Sequence, residues 1–108
     1  MDVEQFVSTL LEELSHLKAV EHVTAQNEGL VVNGRAFLDD GKFLAFYHNA
    51  VTETMAFALI EGKKRIWGID SDSIRGWHIH PKNAPETHVD IEPQSVSEII
   101  QKLREALD

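Results

Sequence analysis

The sequence predicts an α+β domain: a helix at each end and, between them, an antiparallel meander sheet of five or six strands. Three observations predict it. The apolar residues near both termini recur at helical spacing, those between recur at a period of two, and the links between the alternating segments are short. Parallel strands would need crossovers of about a dozen residues or more, so the short links select antiparallel pairing.

The first helix is expected over residues 2–18. Val3, Phe6, Val7, Leu10, Leu11, Leu14 and Leu17 place one apolar stripe on it. Asp2 followed by Gln5 resembles a capping box, which would satisfy backbone donors at the start. Residues 93–107 repeat the pattern with Val96, Ile99, Ile100, Leu103 and Leu107. Pro93 suits a first helical turn, while Ser95 to Glu98 offers a second start about a turn later.

Candidate strands run near 20–26, 30–38, 42–48, 54–60 and 64–70, with a short sixth at 75–80. Turn dipeptides punctuate them at Asn33-Gly34, Asp40-Gly41 and Glu61-Gly62. Gly34 could instead mark a bulge inside one longer strand. Two strands read as central, because "FLAFYH" and "MAFALI" are largely apolar on both alternating sets. That pattern fits cover on both faces of the sheet, with a subunit partner as one source of it.

The 108 residues make one domain, 1–108, and 43% apolar with 26% charged residues is ordinary for a soluble globular chain. The longest apolar run, Met55 to Ile60, falls far short of the roughly 18 residues of a membrane span. The start, "MDVEQF", carries acids where a signal peptide would be basic, so a cytosolic protein without membrane attachment is expected. The absence of cysteine excludes disulfides and thiolate metal sites. A net charge of −8 opposes broad coating of a polyanion. The stretch from Lys63 to His88 is different, with five Lys or Arg against three acids.

That stretch contains "GWHIHPKNAPETHVDIEP" at its end and beyond, with His78, His80 and His88 within eleven positions and all three prolines. If residues 76–80 are extended, Trp77 and Ile79 face the core and the two flanking histidines share the other face, roughly 6.5–7 Å apart. Pro81 ends strand pairing because it has no N–H to donate. The chain can then turn through "PKNAP" and bring His88 back.

Three functional readings fit. In the first, His78, His80 and His88 perform acid–base catalysis on a phosphodiester: imidazole titrates near pH ~6.5, so a cluster holds both an acceptor and a donor at neutral pH. Arg75, Lys82 or Arg65 would bind phosphate and stabilise the pentacoordinate anion. In the second, the same histidines ligate zinc or another divalent transition metal, with Glu86 or Asp90 completing the shell. In the third, Trp67 and Trp77 stack bases or anchor a protein partner without chemistry. A bland alternative accounts for the same residues as a solvated strand edge. His16 and His22, flanking the end of the first helix, read as solvated or capping groups, and His48 as a satisfied core histidine.

The succession of "WGID", "GWHIHP", a proline followed by "ETHV", and "EPQSVSEIIQKL" resembles the TumE family, small proteins classed as the toxin of a type II toxin–antitoxin module. The resemblance covers roughly residues 30–107 and is densest from Trp67 to Ile100. Its matching positions are Trp67, Asp70, His78, His80, Pro81, Pro85, His88 and Pro93. It implies a sheet capped by helices, a growth-restricting activity and an antitoxin partner with a helix-turn-helix domain. The chain departs from the family pattern after the aromatic strand, where it reads "DSDSIRG", and in the wider spread of its histidines.

The leading expectation is therefore a cytosolic TumE-like protein that acts on RNA without a cofactor. The competing expectation, from another class, is a non-enzymatic interaction module or homodimer built on the apolar helix faces.

Overall fold

A computed structural model describes residues 1–108. The element order is α1 (Val3–Leu14), β1 (Val20–Glu28), β2 (Val31–Leu38), β3 (Phe43–Asn49), β4 (Thr54–Glu61), β5 (Lys64–Asp72), β6 (Gly76–His80), β7 (Val89–Asp90) and α2 (Val96–Leu107). The strands form one antiparallel sheet in sequence order, an uninterrupted meander of seven. The expected α+β plan holds, with β7 as an additional strand. No helix is long and apolar enough to cross a membrane.

The helix ends follow their caps. Asp2 accepts from the Gln5 backbone N–H at 2.7 Å, which starts α1. This helix stops at Leu14, four residues before the expected end, but Leu17 still packs into the core beyond it. At α2 the later start is used: Ser95 and Glu98 form a full reciprocal capping box, and Pro93 lies outside the helix. Each such cap satisfies donors that the first helical turn would otherwise leave open.

Both helices lie on one face of the sheet. Phe6, Leu10, Ile99 and Leu103 join Leu44, Phe57, Leu59, Trp67 and Ile69 in a single apolar cluster of 19 buried residues. His48 also faces this layer, stacked on Phe6 with ring centroids 4.7 Å apart, and its Nε2 meets the Met1 carbonyl at 2.8 Å. It is the core histidine the sequence indicated, although its Nδ1 has no partner.

Cover on both faces, expected from the two apolar strands, is not what the fold provides. The opposite sets of β3 and β4, including Ala45, Tyr47, Ala56 and Ala58, remain half-buried with no helix above them. Small side chains there made both strands read as apolar throughout.

Asn33-Gly34 is not a turn either. It lies inside β2, and the preceding hairpin turns at Gly29-Leu30, where Gly29 has φ of 64°. Gly34 keeps an ordinary backbone but lies beneath the Phe46 ring, so its lack of a side chain serves packing. A true irregularity occurs between Leu59 and Ile60: Leu59 pairs with Trp67, while Ile60 pairs with Arg65, leaving Ile66 as an extra residue. In a regular strand Arg65 and Trp67 would share a face. Here the bulge sends Trp67 into the core and Arg65 to the open side.

Candidate functional site

Register defines the open face row by row, since directly paired residues of an antiparallel sheet point the same way. One row runs Thr24, Arg35, Ala45, Ala58, Gly68, His80. The next runs Gln26, Asn33, Tyr47, Ala56, Asp70, His78, Asp90. His78 and His80 therefore share a face, as their alternation predicts, while Trp77 and Ile79 pack against the core.

Beyond Pro81 the chain makes two successive turns, closed by Ala84 N–H to Pro81 O and Thr87 N–H to Ala84 O, each 3.0 Å. They fold it back so that β7 pairs with β6 and His88 lands on the earlier pair. The His88 ring lies edge-on to His80 at 4.4 Å between centroids and to His78 at 5.9 Å. The doubling back that sequence spacing suggests is present.

A carboxylate organises the group. Asp70 Oδ2 lies 3.0 Å from His80 Nε2, a hydrogen bond, and Asp70 Oδ1 lies 3.6 Å from His78 Nδ1. On its other side His78 Nε2 is 3.4 Å from Asp90 Oδ1 at the sheet edge. An ionised carboxylate can only accept, so the Asp70 contact places a proton on His80 Nε2. His80 is 1% exposed and its buried Nδ1 has no partner. The three imidazoles thus differ in access: His80 is enclosed, His78 is largely shielded, and His88 is open to solvent.

Of the three expected phosphate-binding cations, only Arg65 is at the cluster. Its Cδ and the His80 ring both border the space above Gly68, where an added Cβ would lie 3.3 Å from the arginine stem and 3.6 Å from His80 Cδ2. Arg75 instead closes the β5–β6 turn, with Nε 3.0 Å from Asp72 Oδ2. The backbone N–H groups of Arg75 and Ile74 also bind Asp72 and hold its carboxyl below the usual range. Lys82 turns its ammonium to the end of α2, 3.3 Å from the Asp108 carbonyl. Both cations are engaged away from the histidines, Arg75 by a carboxylate and Lys82 by a backbone carbonyl.

Comparison with family models, curated proteins and solved structures finds no match.

The alternative metal set of His78, His80 and His88 is not assembled. No group of three or more His, Asp or Glu side chains is placed to hold a metal ion, and these rings meet edge to face at interplanar angles of 81° and 68°. Glu86 stands exposed on the connecting loop. The third reading also needs correction, because Trp67 is 3% exposed within the core and cannot stack a base. His22 is on β1, stacked on Phe37 at 4.5 Å, and His16, in the turn after α1, contacts Glu12 at 3.3 Å.

Sequence reasoning missed the aromatic groups on the histidine side of the sheet: Phe37, Phe43 and Tyr47. Tyr47 belongs to the same cross-strand row as Asp70 and His78. A signal was available, because the alternating set Phe43, Ala45, Tyr47 faces away from Leu44 and Phe46. Asp70 was carried by the family resemblance alone; its role as the anchor of two histidines emerges from strand pairing.

Proposed function

We propose that this protein cleaves single-stranded RNA by metal-independent acid–base chemistry at the imidazole cluster of its open sheet face. The observation that carries the reading is the convergence of His78 and His80 on Asp70, with His88 against both rings and the stem of Arg65 beside them. Clustered imidazoles can both accept and donate a proton near neutral pH, which a phosphodiester transfer requires.

The roles follow from access. His88, the exposed ring, accepts the proton of a ribose 2′-hydroxyl. The 2′-oxygen attacks phosphorus, and the bond from phosphorus to the 5′-oxygen breaks. His78 in its protonated form returns a proton to that leaving oxygen, giving a 2′,3′-cyclic phosphate and a 5′-hydroxyl. Arg65 balances the charge of the pentacoordinate phosphorane. His80 is a positioning residue, oriented by Asp70 and supporting His88 from below. Arg75 and Lys82 have no place in this scheme.

The toxin role implied by the TumE resemblance is part of the same proposal, with an antitoxin covering the open face in the resting cell. A second reading, an interaction module without turnover, is favoured by that uncovered face and predicts a mass in solution that rises with concentration.

The test incubates purified protein with a mixed-sequence RNA oligonucleotide in chelator, beside His88→Ala and His78→Ala. The expected result is cleavage with cyclic phosphate ends, lost in both variants. Cleavage that survives both substitutions, or no cleavage by the wild-type chain, removes the assignment.

A further inference from the structure

The open face holds a trough of about 580 Å³ that the acid–base scheme does not use. Ligand sites commonly enclose roughly 300–1,000 Å³, so it is of a size for a nucleoside. Its floor is made of Ala45, Ala56 and Ala58, and continues through Gly68 toward His80. Phe37 and Tyr47 rise from the same face on either side of that floor. Phe43 and Tyr47 lie four residues apart on one strand, or roughly 13 Å, with Ala45 midway between them.

The polar groups around the trough suit a base with an attached phosphate. Asn33 and Gln26 offer amide donors and acceptors directly opposite one another on the β1–β2 side. Arg35 lies over the Phe43 ring at 4.8 Å, so its guanidinium is held at the rim by a cation–π contact. Arg65 stands at the other end, where the floor meets His80. Two arginines thus bracket a small-residue floor in a chain whose net charge is −8. No carboxylate lines the trough itself.

Distance joins the trough to the chemistry. Tyr47 and His78 belong to one cross-strand row, separated by Ala56 and Asp70. Three strand spacings amount to roughly 14 Å, a length an extended dinucleotide spans. Aromatic groups bind bases of any identity through their π faces, which gives such a platform little sequence preference.

We infer that the trough is the nucleobase subsite of the same site: it takes a base of single-stranded RNA over Ala45 and Ala58, beside Tyr47, and directs the neighbouring phosphate past Arg65 to the histidines. This rests on the reading of the cluster as an RNA site, and the experiment separates the two. The probe is a fluorescein-labelled RNA pentamer carrying 2′-O-methyl groups, which binds but cannot be cut by 2′-oxygen attack. Its anisotropy is followed at low salt for the wild-type chain, Tyr47→Ala, Ala58→Trp and His16→Ala, each checked by thermal melting. The same pentamer with free 2′-hydroxyls is assayed for cleavage.

The expected result is binding weakened about tenfold or more by Tyr47→Ala and by Ala58→Trp, which fills the floor, with His16→Ala, remote from the open face, within about threefold of wild type. Two phosphate contacts, at Arg35 and Arg65, predict that the logarithm of affinity falls with the logarithm of salt at a slope of about 1.4. If Ala58→Trp unfolds, Tyr47→Ala and Arg35→Ala decide. Failure of the wild-type chain to bind, or affinity unchanged by the trough variants, overturns the subsite. Cleavage that continues undiminished in the trough variants overturns the subsite and leaves the histidine chemistry standing. Trough-dependent binding without any cleavage upholds the subsite and ends the catalytic reading.

Discussion

Replacing Asp70 by alanine should destabilise the fold through a histidine rather than through the carboxylate itself. His80 is 1% exposed, and its Nδ1 already lacks a partner. Without Asp70 the Nε2–H loses its 3.0 Å acceptor as well, leaving a buried ring with neither nitrogen satisfied. A stranded buried donor costs ~1–3 kcal/mol. Asp70 is itself 34% exposed, so water competes for its carboxylate in the folded state, and a loss of about 1–2 kcal/mol is expected. For a domain of this size that amounts to roughly 4–16 °C in melting temperature.

A double-mutant cycle isolates the cause. His80→Phe keeps an aromatic ring and removes both nitrogens. In that background Asp70→Ala should cost less than about 0.5 kcal/mol, so the coupling energy is about 0.5–2 kcal/mol. Urea denaturation of the four proteins at pH 7 measures it. If Asp70→Ala costs the same in both backgrounds, the pair is not what holds this part of the sheet, and Asp70 cannot be the group that orients His80.

Gly34→Ala should destabilise strongly, because the new methyl would run into the Thr24 carbonyl and stand 2.5 Å from Phe46 Cζ. Overpacking typically costs ~1–3 kcal/mol, and an immovable backbone oxygen puts this case at the upper end; a melt within about 2 °C of wild type would contradict the packing described. The Asp72 carboxyl is held below its ordinary value of 3.8, chiefly by the Arg75 backbone N–H, so its ionised form adds stability above that value. This contribution is lost as pH falls through the lower, folded value. Asp72→Asn should therefore melt below wild type at pH 6 and approach it under more acid conditions; a gap that stays constant on acidification would refute the charge-based account.

The fold was legible where periodicity is long. Six of the strand segments, both helices and the antiparallel order follow from alternation, helical spacing and short links. What was not legible depends on contacts between distant residues. The two-residue β7 has no period to read and exists because Pro81 to His88 fold back on β6. Asn33-Gly34 looks like a hairpin, yet the glycine answers to Phe46, whose position depends on the α1 layer. At the site, the histidine spacing did indicate a common face. The cations misled for an electrostatic reason: Arg75 and Lys82 lie close in sequence to the histidines, but Asp72 and the end of α2 offer partners nearer in space. Trp67 misled because a bulge reverses the alternation that would have placed it beside Arg65.

That one supernumerary residue, Ile66, has a wider implication. It works as a half-step in the weave, letting three consecutive positions root one side of the sheet with an indole and arm the other with a guanidinium. Flattened into regular pairing with Ile66 kept, the strand would put both groups on one side, so that either the charge is pressed toward oil or the indole toward water. A strand that keeps all three residues but pairs regularly cannot serve both groups, which makes the pairing of this strand as informative about chemistry as the identity of any residue along it.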